Sequence, residues 1–194
     1  MNKMEEVKSA ALSLFALKGF TATSMQDIAD AVGLNKASLY FYVKSKKELY
    51  LLVVDEQFSY IKEELRKVFE SYGDEPIDVL LFQAFKTIVL KPSIEWLLLW
   101  KRMHMLSITD LGNGLQKPLH EIINKNMQRT WNFLNDFIRT KNIEINEDII
   151  PHFVFAFDTF VRGVLDWRLL NPDADANAVI PIIWNQFWNG SRFV

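Results

Sequence analysis

A chain of 194 residues, 49% of them hydrophobic and only seven of them glycine, can bury a full core, which indicates a globular rather than a disordered protein. The absence of cysteine excludes disulfides and thiolate metal sites and agrees with a reducing cytoplasm, and no apolar stretch resembles a signal peptide or approaches the ~18 residues that a membrane span needs. The net charge of −2 argues against nucleic acid, but residues 1–50 carry seven lysines against five acidic residues, and four of those lysines lie between positions 36 and 47.

The first two predicted helices are bounded by capping and turn residues. Helical periodicity predicts the first helix over about 2–18, with Gly19 just beyond its end. Ser24 is a good N-cap, and Asp27 three residues later completes a capping-box pattern for the second helix. Gly33 then allows the positive φ angle of a sharp turn.

A third and a fourth helix follow this turn directly. Asn35 can cap a short helix over 36–42, and Ser45 with Glu48 is a second capping box that opens a long helix to about Tyr72. A helix, a glycine-containing turn and a second helix form the helix-turn-helix plan, in which the second helix enters the major groove of DNA.

The rest of the chain predicts five or six further helices and no strand. Proline and glycine punctuate it, at Pro92 and around Gly112 for example, and Pro181 predicts either a kink in the last helix or a start nearer Asn177. The expected helices span about 76–90, 93–107, 118–141, 147–170 and 175–188.

The predicted helix over 147–170 has an unusually wide apolar face. At 100° per residue its apolar side chains cover an arc of roughly 200°, about twice what a surface helix needs. Both sides of it must therefore be covered, either by the protein's own core alone or by the core and a second subunit, with Gly163 allowing close approach. The residues leave both arrangements open. The apolar set is Ile149, Phe153, Phe157, Phe160, Val161, Val164, Leu165 and Trp167.

Roughly the first 50 residues resemble the N-terminal domain of the TetR family of bacterial transcriptional repressors. The resemblance implies an all-α fold, with a three-helix helix-turn-helix DNA-binding domain over 1–47 and a helical effector-binding and dimerisation domain over 48–194. It also implies a homodimer through the last two helices. Beyond residue 50 the chain resembles the family only in length and helical character. The matching residues are Ala10-Ala11-Leu12, Leu14-Phe15, Gly19-Phe20, Thr23-Ser24, Asp27-Ile28-Ala29, Val32-Gly33-Leu34, Lys36, Ser38-Leu39-Tyr40, Lys44-Ser45-Lys46 and Glu48-Leu49. One departure is Val43, where the family more often has Phe.

Candidate DNA contacts are the donors around the second and third helices. Lys36 and Ser38 lie near the start of the expected recognition helix, and Gln26 suits adenine, so we expect these three to contact base edges. Ala37 can touch a thymine methyl group. The family pattern implies phosphate contacts for Thr23, Ser24, Tyr40, Tyr42, Lys44 and Lys46. The competing interpretation is that the tyrosines pack the domain and the lysines only solubilise it.

Candidate effector contacts lie in the second part of the chain, which holds all six Trp and 12 of the 15 Phe. The resemblance implies a ligand cavity there, and aromatic rings would suit an apolar or planar ligand. The alternative is that these rings fill a core, and that Arg162 pairs with Asp158 and Asp166 four residues away. The candidates are Trp96, Trp100, Met103, Trp131, Phe157 and Arg162.

No pattern for catalysis, a metal or a cofactor is present. The three histidines, His104, His120 and His152, are far apart in sequence and form no zinc-binding motif, and no glycine-rich phosphate loop occurs. We therefore expect no catalytic residue, no metal, no cofactor and no enzymatic activity.

The resemblance thus implies a cytoplasmic, ligand-responsive repressor that leaves a palindromic operator when a small apolar or aromatic effector binds, and we expect no membrane partner. One alternative is a DNA-binding protein whose helical body docks a protein partner and has no small-molecule effector. Another is an enzyme or carrier with a vestigial DNA-binding domain, which no residue recommends. The operator, the regulated genes, the effector, repression as against activation, and the presence of a cavity cannot be derived from the sequence.

Overall fold

The computed structural model describes residues 2–105, 114–140 and 150–191, without the side chains of 104, 105, 127, 130, 131, 133–140, 150 and 191. The predicted loop around Gly112 and the expected helix start at 147 lie outside the described residues.

Within the described ranges the chain forms nine α-helices and no β-strand, so the all-α prediction is confirmed. The helix bounds agree with the sequence patterns to within a few residues, apart from those of the third helix. The helices are α1 (Lys3–Ala22), α2 (Met25–Ala31), α3 (Lys36–Leu39), α4 (Lys46–Tyr72), α5 (Ile77–Leu90), α6 (Ile94–Met105), α7 (Gln116–Thr140), α8 (Ile150–Leu170) and α9 (Ala176–Ser191).

The recognition helix α3 is shorter than predicted. The expected range was 36–42, but α-helical geometry ends at Leu39. Beyond it, the N–H groups of Phe41 and Tyr42 donate to carbonyl groups three residues back, at Ser38 and Leu39, which is the tighter 3₁₀ pattern. Periodicity alone cannot distinguish this tightening from a continuing α-helix.

The last helix is not broken at its proline. Helix α9 contains Pro181, and it begins at Ala176 after the Asp175 carboxylate accepts the N–H groups of Asn177 and Ala178. Pro181 is the sixth residue of this helix, so it removes one i→i−4 hydrogen bond, the one to the Asn177 carbonyl, without ending the helix.

The chain folds into two compact units that do not follow chain order. The first unit comprises Met1–Tyr60 and Ser93–Asn124, and the second comprises Ile61–Pro92 and Lys125–Val194. Helices α4 and α7 therefore contribute residues to both units. These units are defined by packing. The division by function, between a DNA-binding domain over 1–47 and an effector-binding and dimerisation domain over 48–194, stays a prediction.

In the first unit, α1 packs against both α2 and α6. Phe15 and Phe20 of α1 make edge-on contacts with the buried ring of Tyr50, with ring centroids 4.9 Å and 5.2 Å apart. Helix α6 adds Leu99 and Met103 to the same core. The core around α1 and α2 is thus completed by residues far along the chain.

In the second unit, α5, α8 and α9 share an aromatic core. The Phe85 ring stacks on Phe160 at 4.9 Å and on Trp184 at 5.3 Å. Four residues of α8 are buried there, namely Val154, Phe157, Val161 and Val164. This core provides one of the two covers that the wide apolar face of this helix requires.

Candidate nucleic-acid interface

The start of α2 is fixed by a complete capping box, as the sequence predicts. The Asp27 N–H donates to Ser24 Oγ at 3.0 Å, and the Ser24 N–H donates to Asp27 Oδ2 at 2.7 Å. The Ser24 hydroxyl also donates to the carboxylate, and together with the Ser24 N–H and Lys18 it lowers the pKa of Asp27 from 3.8 to about 2. The ionised carboxylate therefore stabilises the helix start at neutral pH.

The turn between α2 and α3 depends on a glycine in the left-handed region. Gly33 has φ of 67°, and its N–H donates to the Asp30 carbonyl while the Leu34 N–H donates to the Ala29 carbonyl at 2.9 Å. These bonds satisfy the carbonyl groups at the end of α2. Asn35 then caps α3 by accepting the Ser38 N–H at 2.7 Å. The helix-turn-helix geometry follows from these local hydrogen bonds.

The expected base contacts lie on or beside α3. Leu39 is fully buried and anchors the helix, while Lys36 and Ala37 are exposed and Ser38 is half-buried. Gln26 at the start of α2 is also exposed, but its amide Nε2 donates to the Asp30 carboxylate at 2.6 Å. A base contact by Gln26 would have to replace that intramolecular bond.

Four of the expected phosphate contacts are exposed. Tyr40 and Tyr42 retain 45% and 41% of their side-chain exposure, and Lys44 and Ser24 are also exposed. At the start of α4 the Ser45 hydroxyl accepts the Glu48 N–H at 3.1 Å, and the Glu48 carboxylate accepts the Lys44 N–H at 2.6 Å. The Glu48 carboxylate thus bonds one residue before the N-cap Ser45 that the predicted capping box would use, and it holds the segment that carries Lys44.

Two of the expected phosphate contacts have internal partners instead. The Thr23 hydroxyl is buried and donates to the carbonyl groups of Gly19 and Leu14 at 2.7 Å and 3.2 Å. The Lys46 ammonium donates to the carbonyl groups of Phe20 and Thr23 at 2.7 Å and 2.6 Å, and it lies 4.5 Å from the Phe20 ring centroid. Burial lowers the pKa of Lys46. The geometry gives neither side chain a free donor facing solvent.

Phe41 also lies on this surface, although the sequence did not predict it as a contact residue. Its ring is 89% exposed, the most of any large hydrophobic residue in the described part of the chain, and it lies between Tyr40 and Tyr42. An apolar ring in this position offers contact with sugar or with a thymine methyl group. The signal in the sequence was the buried Leu39 two residues earlier, which places Phe41 on the opposite side of the turn.

The effector candidates divide between the two units. In the first unit, Trp96 and Met103 are buried, and Trp96 and Trp100 make edge-on contacts with Phe58, with ring centroids 5.5 Å and 5.6 Å apart. In the second unit, Phe157 is buried in the aromatic core. The side chain of Trp131 lies outside the described residues.

Arg162 forms the ion pair that the sequence suggested as an alternative to ligand binding. Its Nε donates to the Asp158 carboxylate at 2.6 Å, one helical turn earlier on α8. Both side chains are partly exposed, so the pair contributes little to stability.

The described residues contain no group of three or more His, Asp or Glu side chains that could hold a metal ion. His120 and His152 are exposed, and the side chain of His104 is not described. Among the helices described, none is long and apolar enough to span a membrane.

Residues 9–53 match the family model described as bacterial regulatory proteins, tetR family. Over 200 aligned positions the chain is 31% identical to the uncharacterized HTH-type transcriptional regulator YerO of Bacillus subtilis (strain 168), with 88% of this chain and 68% of that protein covered. A shorter match, 36% identical over 56 residues, is to IcaR of Staphylococcus epidermidis, named as the HTH-type negative transcriptional regulator of the biofilm operon icaADBC. It covers 29% of this chain and 30% of that protein.

Among solved structures, the fold is similar to that of AibR, crystallised in complex with isovaleryl coenzyme A and operator DNA. The TM-score is 0.62 and the sequence identity 17%, with 95% of this chain and 97% of that chain covered. At this identity the likeness concerns the fold alone.

Proposed function

Because the chain belongs to the tetR family of bacterial regulatory proteins and is a transcriptional regulator, we propose that it represses transcription as a homodimer bound to a palindromic DNA operator. The observation that carries the proposal is the surface around α3, where exposed Tyr40, Phe41, Tyr42 and Lys44 lie beside a fully capped helix-turn-helix. A solvated surface that combines three aromatic rings with basic side chains suits a phosphate backbone with base edges next to it. The name of IcaR as a negative regulator supports repression.

The proposed contact residues fall into two groups, those assigned to base edges and those assigned to phosphates. Lys36, Ser38 and Gln26 are assigned to base edges and Ala37 to a thymine methyl group, since these side chains are on the outer face of α2 and α3. Ser24, Tyr40, Tyr42 and Lys44 are assigned to phosphates. For Thr23 and Lys46 the internal hydrogen bonds favour a role in holding the domain together.

A homodimer through α8 and α9 is supported by the outer face of α8. The described residues at 155, 159, 163 and 170 are exposed and share one face of the helix, and among them Phe155 is 68% and Leu170 81% exposed. A Cβ atom built on Gly163 meets nothing within 4 Å, so a partner helix can approach closely. On α9, Ile182 is 62% exposed. A second copy covering these side chains would remove apolar surface from water.

We further propose that residues 1–47 contact DNA and that residues 48–194 bind a small apolar or aromatic effector that releases it. AibR was crystallised with isovaleryl coenzyme A and operator DNA, and the acyl group of that ligand is apolar, which supports including acyl thioesters in the search. On α6, Trp96 and Trp100 form an aromatic group with Phe58, and they remain the first candidates to test. Such a ligand would have to prefer the conformation of the dimer that fits DNA poorly.

The test is selection of bound sequences from a random pool of DNA duplexes, at two salt concentrations. Enrichment of an inverted repeat, with affinity falling as salt rises, is the result expected of a dimeric sequence-specific regulator. Absence of any enriched sequence at both salt concentrations would contradict the proposal. The enriched duplex then serves to screen acyl coenzyme A thioesters and planar aromatic compounds for release, and failure of all of them would favour a protein partner for the helical body.

A further inference from the structure

Helix α1 is broken just before the helix-turn-helix begins. Gly19 has φ of 81° and ψ of 170°, and a short turn leads from it to Thr23 and α2. Carbonyl groups at a helix end lack partners within the helix and carry partial negative charge, so they need donors from elsewhere. Lys18, the residue just before the break, directs its ammonium group to the Asp27 carboxylate at 3.3 Å.

The donors come from α6, more than 80 residues further along the chain. Arg102 Nε donates to the Ala16 carbonyl at 2.7 Å, and Arg102 Nη2 donates to the Leu17 carbonyl at 2.8 Å. Its Nη1 lies 3.6 Å from the position where a Cβ atom on Gly19 would stand. One planar guanidinium thus spans the last residues before the break, using the fixed fork that only arginine provides.

The residues after the break, Phe20 to Thr23, are held by a second set of hydrogen bonds. Lys46 of α4 donates to the carbonyl groups of Phe20, Thr21 and Thr23, and the buried Thr23 hydroxyl donates back to Gly19. Ser24, the N-cap of α2, follows directly. The backbone between Ala16 and Thr23 is therefore bonded to two cations, and both lie outside α2 and α3.

We propose that Arg102 is a positioning residue for DNA recognition, which holds the end of α1 so that α2 and α3 meet the DNA in the correct orientation. The inference rests on the proposed DNA-binding function. Arg102 itself makes no contact with DNA in this proposal, since its donors are directed at carbonyl groups of its own chain.

The experiment compares wild-type protein with Arg102→Met and Arg102→Lys in binding the duplex that the wild-type protein enriches most from a random pool. Affinity is measured well below the melting temperature and at salt concentrations from about 50 to 300 mM. We expect Arg102→Met to weaken binding about tenfold or more, the scale of losing a well-formed base contact, with the dependence on log salt unchanged. Arg102→Lys keeps the charge but loses the planar fork that bonds two carbonyl groups at once, so we expect an intermediate loss. Amide hydrogen exchange at residues 20–24 should be faster in both variants, because the turn has lost a restraint.

The charge-matched control is Arg66→Met on the exposed side of α4, where the guanidinium pairs with Glu63 and Glu70. It should leave affinity unchanged. Equal affinity of wild-type and Arg102→Met for the duplex would overturn the inference, as would a lower melting temperature with unchanged affinity. A salt dependence reduced by about one phosphate contact per subunit would also overturn it, because it would place Arg102 on the DNA. Failure of both Arg102 variants to fold would overturn it in favour of a role in stability. If the wild-type protein enriches no duplex, the proposed function fails first.

Discussion

Lys44 and Lys46 are two residues apart, but their ammonium groups have different surroundings. Lys44 is exposed, whereas Lys46 is half-buried and donates to three carbonyl groups. Sequence alone assigned both to phosphates, since a lysine near a recognition helix has the same pattern in either role. Only the folded chain shows which carbonyl groups come within reach of each.

This pair gives a direct test of the DNA surface. We expect Lys44→Met to weaken binding to the enriched duplex and to reduce the slope of log affinity against log salt by about 0.9 per subunit, because one phosphate contact is lost. Lys46→Met, the matched control, should lower affinity and thermal stability with the slope unchanged. The measurement is a titration of each variant at several salt concentrations. An unchanged slope for Lys44→Met would remove Lys44 from the interface.

The ionised Asp27 carboxylate of the capping box makes the stability of the fold depend on pH in the acid range. Its pKa is lowered in the folded state to about 2 from 3.8, so its contribution is fully present above the unfolded value and is lost as pH falls through the folded value. We expect Asp27→Asn to melt below the wild-type temperature at neutral pH, and the difference to shrink between pH 4 and pH 2.

Calorimetry or circular dichroism across this pH range measures the effect. Asp74→Asn, at an exposed position between α4 and α5, is the control and should show no such convergence. A gap between wild-type and Asp27→Asn that stays constant down to pH 2 would show that the carboxylate has no special role.

At the scale of elements, the sequence was most informative where the determining contacts are local. The capping box at Ser24, the positive φ of Gly33 and the cap at Asn35 each depend on residues no more than five positions apart, so their patterns could be recognised directly. The end of α3 was misjudged because 3₁₀ and α-helical spacing share the same apolar residues over one turn.

Contacts between segments far apart in the chain could not be predicted from the sequence. Nothing in the pattern around Arg102 indicates that it bonds to carbonyl groups 85 and 86 residues earlier. The effector candidates were chosen by residue type, and type alone does not distinguish a cavity from a core. Trp96 and Phe157 are buried within different units, each among rings of its own unit.

The turn between α2 and α3 can be tested as an element. Gly33→Ala should lower the free energy of unfolding by about 1–2 kcal/mol, because a side chain strains the left-handed backbone although the space around it is open. Gly33→Asn should cost less, since asparagine tolerates this region better. Urea unfolding of the three proteins measures the difference. Equal stability of all three would mean that the turn relaxes to another conformation without cost.

At the scale of the whole molecule, the proposed homodimer has the outer face of α8 at its interface. Phe155→Glu should convert the protein to a monomer in analytical ultracentrifugation and abolish binding to an inverted repeat, because a charge would be buried at the proposed interface. Helix content by circular dichroism should be unchanged. Leu17→Glu is a matched control for sedimentation only, since Leu17 is 66% exposed against 68% for Phe155 but lies on α1, where its carbonyl accepts a hydrogen bond from Arg102. A Phe155→Glu variant that sediments like the wild-type protein would exclude this face from the interface.

The core shared by α1, α4, α6 and the beginning of α7 also bears on how the protein emerges during synthesis. The core around Phe15 is covered by five residues from later in the chain, namely Trp96, Leu99, Met103, Leu115 and Leu119. The first 60 residues therefore leave the ribosome before the segment that covers them has been synthesised. The DNA-binding end is translated first, but its core is complete only when about residue 124 has been added. Transplanting 1–47 onto another regulator would separate the domain from Arg102 and from half of its hydrophobic cover. A functional chimera should need 48–60 and 93–124 as well.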